Sequence, residues 1–233
     1  VALITGAVSL LGSAANMVCD RATAVLTERA AKSLGTYKNE FPDTAFSFDE
    51  ESGMLTVKGK SAHGSTPECG ANALGAMFAF FSTINADCKK VYDLLFADSL
   101  GLKNMRDETG SLTMSPDVAA FENGELLVTT DIRFPATHKK EEITAALDKA
   151  GVRFKVVHDQ APLYNDPNGR LISTLMRVYN KATGKNEKAI AIGGGTYARA
   201  LKCGCGFGPE LPDEEATIHQ PDEYITFDRI RMM

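Results

Sequence analysis

The sequence predicts an α+β fold over residues 1–162, an antiparallel sheet covered by helices, and three observations carry that prediction. Alternating apolar and polar runs flank two turn dipeptides, Ser52-Gly53 and Asn123-Gly124, where glycine supplies the positive φ of a hairpin. Apolar residues recur at helical spacing between the two hairpins. The resulting order is strand, helix, hairpin, helix, hairpin, helix, strand, which interleaves both element types along one chain. With 233 residues, 44% hydrophobic and 24% charged, the chain can bury a sizeable core in one large domain or two ordinary ones.

Residues 16–26, "NMVCDRATAVL", alternate well enough for a first strand, and "TERAAKSLG" reads as a short helix stopped by Gly35. "AFSFDEESGMLTVKGKSAH" is the first hairpin, so His63 falls at the exit of a strand. "GANALGAMFAFFSTI" and "DCKKVYDLLFADSLG" are two helical stretches, with Phe78, Phe80 and Phe81 as core residues. The second hairpin, residues 110–135, ends in Pro135, which cannot continue a ladder. "KKEEITAALDKAG" is a helix whose acidic start suits the dipole, and residues 153–163, "RFKVVHDQAPL", read as a final strand. Two prolines and a glycine in "APLYNDPNG" place a boundary near residue 162. Beyond it lie a helix, "RLISTLMRVYNKATG", and short apolar strands, "KAIAIGGG" and "CGFGPEL". So few elements make a poor independent core.

A net charge of −5, without a long basic run, argues against nucleic acid or an anionic membrane as the partner. Five scattered cysteines do not form a secreted disulfide framework, which points to a reducing compartment; Cys203 and Cys205 read as buried strand thiols. The start, "VALITGAVSLLGSAANMV", has the apolar character of a signal peptide but no basic leader, and glycines interrupt it. It has no initiator Met, and the chain reads as a piece of something longer.

Four stretches carry groups suited to chemistry. His63 stands among small residues in "GKSAHGSTPECGANA". His219, in "PDEEATIHQPDEYI", is flanked by oxygen-rich segments that suit a divalent metal, although zinc takes three or four ligands and one histidine is not a site. "IGGGTYAR" at 192–199 fits either carboxylate binding by backbone N–H groups or a plain tight turn. Arg133 in "DIRFP" ends a strand, where a guanidinium can fork onto a carboxylate, although an exposed arginine at such a place is common.

Taken together, "NMVCDRATAVL", "LTVKGKSAHGSTPECGANA", "DETGSLTMSPDVAAFENGELLVTTDIRFP", "IAIGGGTYARAL" and "FGPELPDEEATIHQPDEYI" resemble one family. It comprises the di-zinc aminopeptidases, carboxypeptidases and deacylases of the ArgE/DapE/aminoacylase type, and the bacterial dipeptidases of the peptidase V kind resemble the chain most. The likeness spans nearly the whole chain and is most specific from His63 through Pro67, Gly70, Asn72 and Ala73, and at His219.

The resemblance implies that residues 1–162 are an inserted lid, a ferredoxin-like antiparallel sheet covered by helices. Residues 163–233 are then the C-terminal part of an α/β zinc-peptidase domain. It implies that His63 stabilises the oxyanion formed when metal-bound hydroxide attacks a peptide carbonyl, and that Arg133 holds the substrate's C-terminal carboxylate. Gly194, Gly195 and Thr196 would line that pocket, Asn16 would face the substrate, and His219 would be a terminal zinc ligand. The implied cofactor is a pair of zinc ions, with manganese or cobalt as alternatives, and the implied partner a small peptide in the cytoplasm. The family's upstream His-x-Asp motif, bridging Asp, Glu-Glu pair and further acidic ligand do not occur in these residues. The expectation is therefore a fragment without a complete metal site, inactive alone, whose N-terminal catalytic portion lies elsewhere in the same protein. An N-acyl amino acid deacylase or carboxypeptidase of the same fold and a metal-free binding module are the alternatives; the stretch 86–120, like the enlarged lid of the dipeptidases, favours the first reading.

Overall fold

The first strand owes its pairing to alternation. In a computed structural model, which describes residues 15–122, 125–208 and 222–232, it is β1 (Arg21–Val25). Helix α1 (Glu28–Leu34) follows, with the hydroxyl of Thr27 accepting from the Ala30 amide at its start. The hairpin of β2 (Ala45–Asp49) and β3 (Met54–Lys58) turns where Gly53 has φ +68°, a conformation that residues with a Cβ rarely adopt. The sheet has the order β1-β3-β2, antiparallel throughout, with Ala22 opposite Val57 and Ala24 opposite Leu55. These four residues form one fully buried face.

Helix α2 (Ala73–Ser82) covers that face, and α3 (Ala86–Leu95) packs beside it. Eight of the ten α2 residues are buried, because the sheet lies on one side while Val91, Tyr92 and Phe96 approach from another. Phe78, Phe80 and Phe81 are core residues as expected, and Phe80 also meets the Tyr37 ring at 5.1 Å.

Two short strands, β4 (Arg106–Asp107) and β5 (Gly110–Ser111), precede the long hairpin of β6 (Thr113–Glu122) and β7 (Glu125–Arg133). Its turn, Asn123-Gly124, lies outside the described residues. The hairpin belongs to two cores. Ala119, Leu126 and Val128 join the α2 cluster, while Met114 and Ile132 join Leu102, Leu112 and Ile143 of α4 (Lys140–Lys149). Among the described residues the strands thus form a three-stranded sheet and two separate pairs, all antiparallel, packed with helices: an α+β fold. Helix α4 begins as its acidic residues predict, with the Glu142 carboxylate accepting from the Lys139 amide at 2.8 Å.

The chain divides into two compact units, Val1–Pro162 and Leu163–Met233. In the first, residues 153–163 do not form the expected strand. They find no partner strand among the described residues, and Val156 and Val157 are exposed. In the second, α5 (Arg170–Thr183) ends at Gly184 in the left-handed conformation, and α6 (Phe227–Met232) is a short helix. The strands expected at 188–195 and 205–208 are irregular chain, and residues 209–211 lie outside the described residues. With no sheet to bury them, Cys203 is exposed and Cys205 half-buried, contrary to their reading as buried strand thiols.

Candidate substrate-binding site

Backbone hydrogen bonds pin the turn that carries His63. Lys60 pairs with Ala71 and Met17 with His63 as isolated antiparallel bridges. The Gly64 amide donates to the Asn16 carbonyl at 2.7 Å, and the Thr66 amide to the His63 carbonyl at 2.9 Å. Asn72 then caps α2 with its side-chain oxygen on the Gly75 amide and donates its Nδ2 to the Pro116 carbonyl at 2.8 Å, tying the loop's exit to β6. The imidazole is half-buried. Its Nδ1 lies 2.7 Å from the Ser65 hydroxyl and 3.3 Å from the Ser65 amide. A backbone amide only donates, so Nδ1 is the acceptor, and the neutral ring carries its proton on Nε2.

Arg133 ends β7 opposite Thr113 of β6. Its Nε and Nη2 both donate to Oδ2 of Asp131, at 3.0 and 2.7 Å, an ion pair whose side chains are 24% and 16% exposed. The His63 turn reaches this strand end. The Thr113 hydroxyl donates to the Gly64 carbonyl at 3.3 Å, and a Cβ placed on buried Gly64 would stand only 2.4 Å from Asp131 Oδ2. The turn that carries His63, the Asn16 backbone and the strand end that holds Arg133 thus meet in the first unit.

Behind Arg133 the strand pair is polar and buried. Ser115 faces Asp131 across the ladder, and its hydroxyl donates to Oδ1 of Asp117. Asp117 is the extra residue of a bulge between Pro116 and Val118, which explains why residues 114–117 are buried in succession. Burial pushes its carboxyl up to about 7, and the neighbouring Asp131 charge adds to this, against the Ser115 hydrogen bond and the Arg133 charge. Its Oδ2 has no partner among the described residues. Sequence reasoning passed over Asp131, Ser115 and Asp117; the signal for Asp131 was its position two residues before Arg133, on the same side of a strand.

Gly194, Gly195 and Thr196 belong to the second unit. Gly194 sits in open space, with the Ile192 side chain 3.9 Å from where its Cβ would be. The Thr196 hydroxyl accepts from the Ala198 amide at the start of a 3-10 turn, Tyr197–Ala200. His219 lies outside the described residues. Among the described residues no three His, Cys, Asp or Glu side chains come together to hold a metal ion. His158 is exposed, and Asp159 is ion-paired with Lys140.

Residues 51–150 match the family model of the M20 peptidase dimerisation domain. Over 188 residues the chain is 29% identical to a provisionally named dipeptidase of Staphylococcus epidermidis and 30% identical to one of Staphylococcus aureus. Over 190 residues it is 30% identical to one of Staphylococcus haemolyticus. Each match covers 74% of this chain and 40% of the relative, so the chain spans well under half the length of the curated relatives it matches. The α+β fold and these likenesses agree: the chain is similar to peptidases of the M20 family, and residues 51–150 resemble that family's dimerisation domain.

Proposed function

We propose that this chain supplies the lid, residues 1–162, and the C-terminal part of the catalytic domain, residues 163–233, of a metal-dependent dipeptidase. The observation that carries the reading is the docking of the His63 turn, through Gly64, onto the strand end that holds Arg133. That arrangement offers two anion-stabilising groups at a fixed spacing. Arg133 pairs with the C-terminal carboxylate of a short peptide, for which a planar guanidinium is well matched. His63 donates its Nε2 proton to the peptide oxygen that gains negative charge as the carbonyl is attacked. A donor held ready for that charge contributes about 10²–10³ in rate. By the same reading Asn16 faces the substrate, and the second unit contributes Gly194, Gly195 and Thr196 as substrate-binding residues and His219 as a metal ligand.

In such an enzyme two zinc ions, or manganese or cobalt, supply the activated water. The reading assigns their remaining ligands to a further N-terminal portion of the same protein. The names of the staphylococcal relatives favour a dipeptide substrate, and five cysteines outside any disulfide favour the cytoplasm. No helix among the described residues is long and apolar enough to cross a membrane.

A substrate panel on the polypeptide that carries these residues tests the reading, with zinc, manganese and cobalt each added to metal-free protein. Hydrolysis of free dipeptides is expected. Turnover confined to N-acyl amino acids would make it a deacylase, and no turnover under any metal would leave a binding module.

A further inference from the structure

Asp131 touches both halves of the candidate site with one atom. Its Oδ2 accepts from Nε and Nη2 of Arg133, and the same oxygen lies against the Cα of Gly64, where any Cβ would overlap it at 2.4 Å. Gly64 is also held from the other side, its amide on the Asn16 carbonyl and its own carbonyl under the Thr113 hydroxyl. The residue next to His63 is therefore wedged between Asn16 and the carboxylate that orients Arg133. A side chain at position 64 would push the turn and the carboxylate apart, with nowhere to go but into the Asn16 carbonyl at 3.0 Å.

We infer that Asp131 is a positioning residue that, with Gly64, sets the spacing between His63 and Arg133, and so the length of peptide that fits between oxyanion donor and carboxylate clamp. The inference rests on the dipeptidase reading for its functional meaning, but its physical core is the coupling of two side chains through one carboxylate. A carboxamide in place of the carboxylate keeps the volume and removes the charge that holds the guanidinium.

The test uses Asp131→Asn and Gly64→Ala, which act on the contact from opposite sides. In the 233-residue chain, nuclear magnetic resonance reads the Arg133 Nε–H and the His63 ring signals. Both signals are expected to move in both variants. In the active polypeptide Asp131→Asn should raise KM for dipeptides about tenfold and lower kcat as well, while longer peptides lose less. A shift of Arg133 alone in Asp131→Asn, with His63 and its turn unmoved, would overturn the inference. So would a Gly64→Ala variant whose Arg133 signal stays in place. If the signals move together but dipeptides are not substrates, the dipeptidase reading falls and the coupling stands; dipeptide turnover without the coupled shift removes the inference and leaves the reading.

Discussion

The two units, Val1–Pro162 and Leu163–Met233, differ in what they bury. The first holds two clusters: the α2 helix with its sheet, and the smaller group of Leu102, Leu112, Met114 and Ile143. In the second, Ile172 and Ala198 are the buried apolar residues among those described, whereas Ile190, Ile192, Tyr197, Leu201, Phe207, Tyr224 and Phe227 are all more than half exposed. A unit that leaves so much apolar surface in water gains little from burial to offset the entropy of ordering its chain. The difference teaches that, among the described residues, apolar burial is concentrated in the first unit, and the chain spans 40% of the relatives it matches.

The largest test of that contrast is in the α2 core. Phe80 is fully buried against Tyr37 and Phe81, and Phe80→Ala should cost about 3–5 kcal/mol in denaturant unfolding, a large part of the stability of an ordinary domain. A loss below about 1 kcal/mol would mean that this core does not carry the unit.

Next comes the buried carboxyl behind Arg133. Asp117 holds its proton up to about pH 7 when folded but releases it near pH 4 when unfolded. The folded state binds more protons between those values, so stability is highest at the acid end of that window and falls as pH rises through it, by up to about 4 kcal/mol. The charged groups around it are Asp131 and Arg133 on β7, and the nearby Cys19 thiol stays neutral because burial makes it hold its proton more tightly. Denaturant midpoints at pH 5 and pH 8.5 should differ in the native chain, and Asp117→Asn should remove most of the difference. An equal difference in the variant would place the pH dependence elsewhere.

A smaller effect belongs to Asn72, which caps α2 and holds the Pro116 carbonyl. Asn72→Ala should cost about 2 kcal/mol, read as a lowered denaturant midpoint. Least of all, Ile190→Ser in the second unit, at a side chain 72% exposed, should change the stability of the isolated chain by less than about 0.5 kcal/mol. Once a covering portion is present, the same substitution should become costly, and a large effect in the isolated chain would break the contrast.

What could be read in the sequence follows the same division. The hairpin at Gly53, the helix stop at Gly35 and the Phe78, Phe80 and Phe81 core are local signals, set by backbone conformation or by helical spacing. The strands expected at 153–163 and 188–195 failed because strand propensity measures fit to a neighbour, and among the described residues these apolar runs have no strand beside them. At the candidate site, the place of His63 at a strand exit was legible from the hairpin before it. The contact of Gly64 with Asp131 was not, since nothing local in either segment reports a meeting of residues so far apart in the chain. The Asp117 bulge was equally hidden, for the residues it buries in succession include polar Ser115 and Asp117, which carry no apolar signal of burial.

The central claim is that His63 and Arg133 act on one peptide, the first on its reaction and the second on its binding. Steady-state kinetics of dipeptide hydrolysis by the polypeptide carrying His63→Ala or Arg133→Ala tests it most directly. His63→Ala should lower kcat about 10²–10³-fold with little change in KM, and Arg133→Ala should act mainly through a raised KM. Variants that both turn over dipeptides at the native kcat and KM would contradict the account.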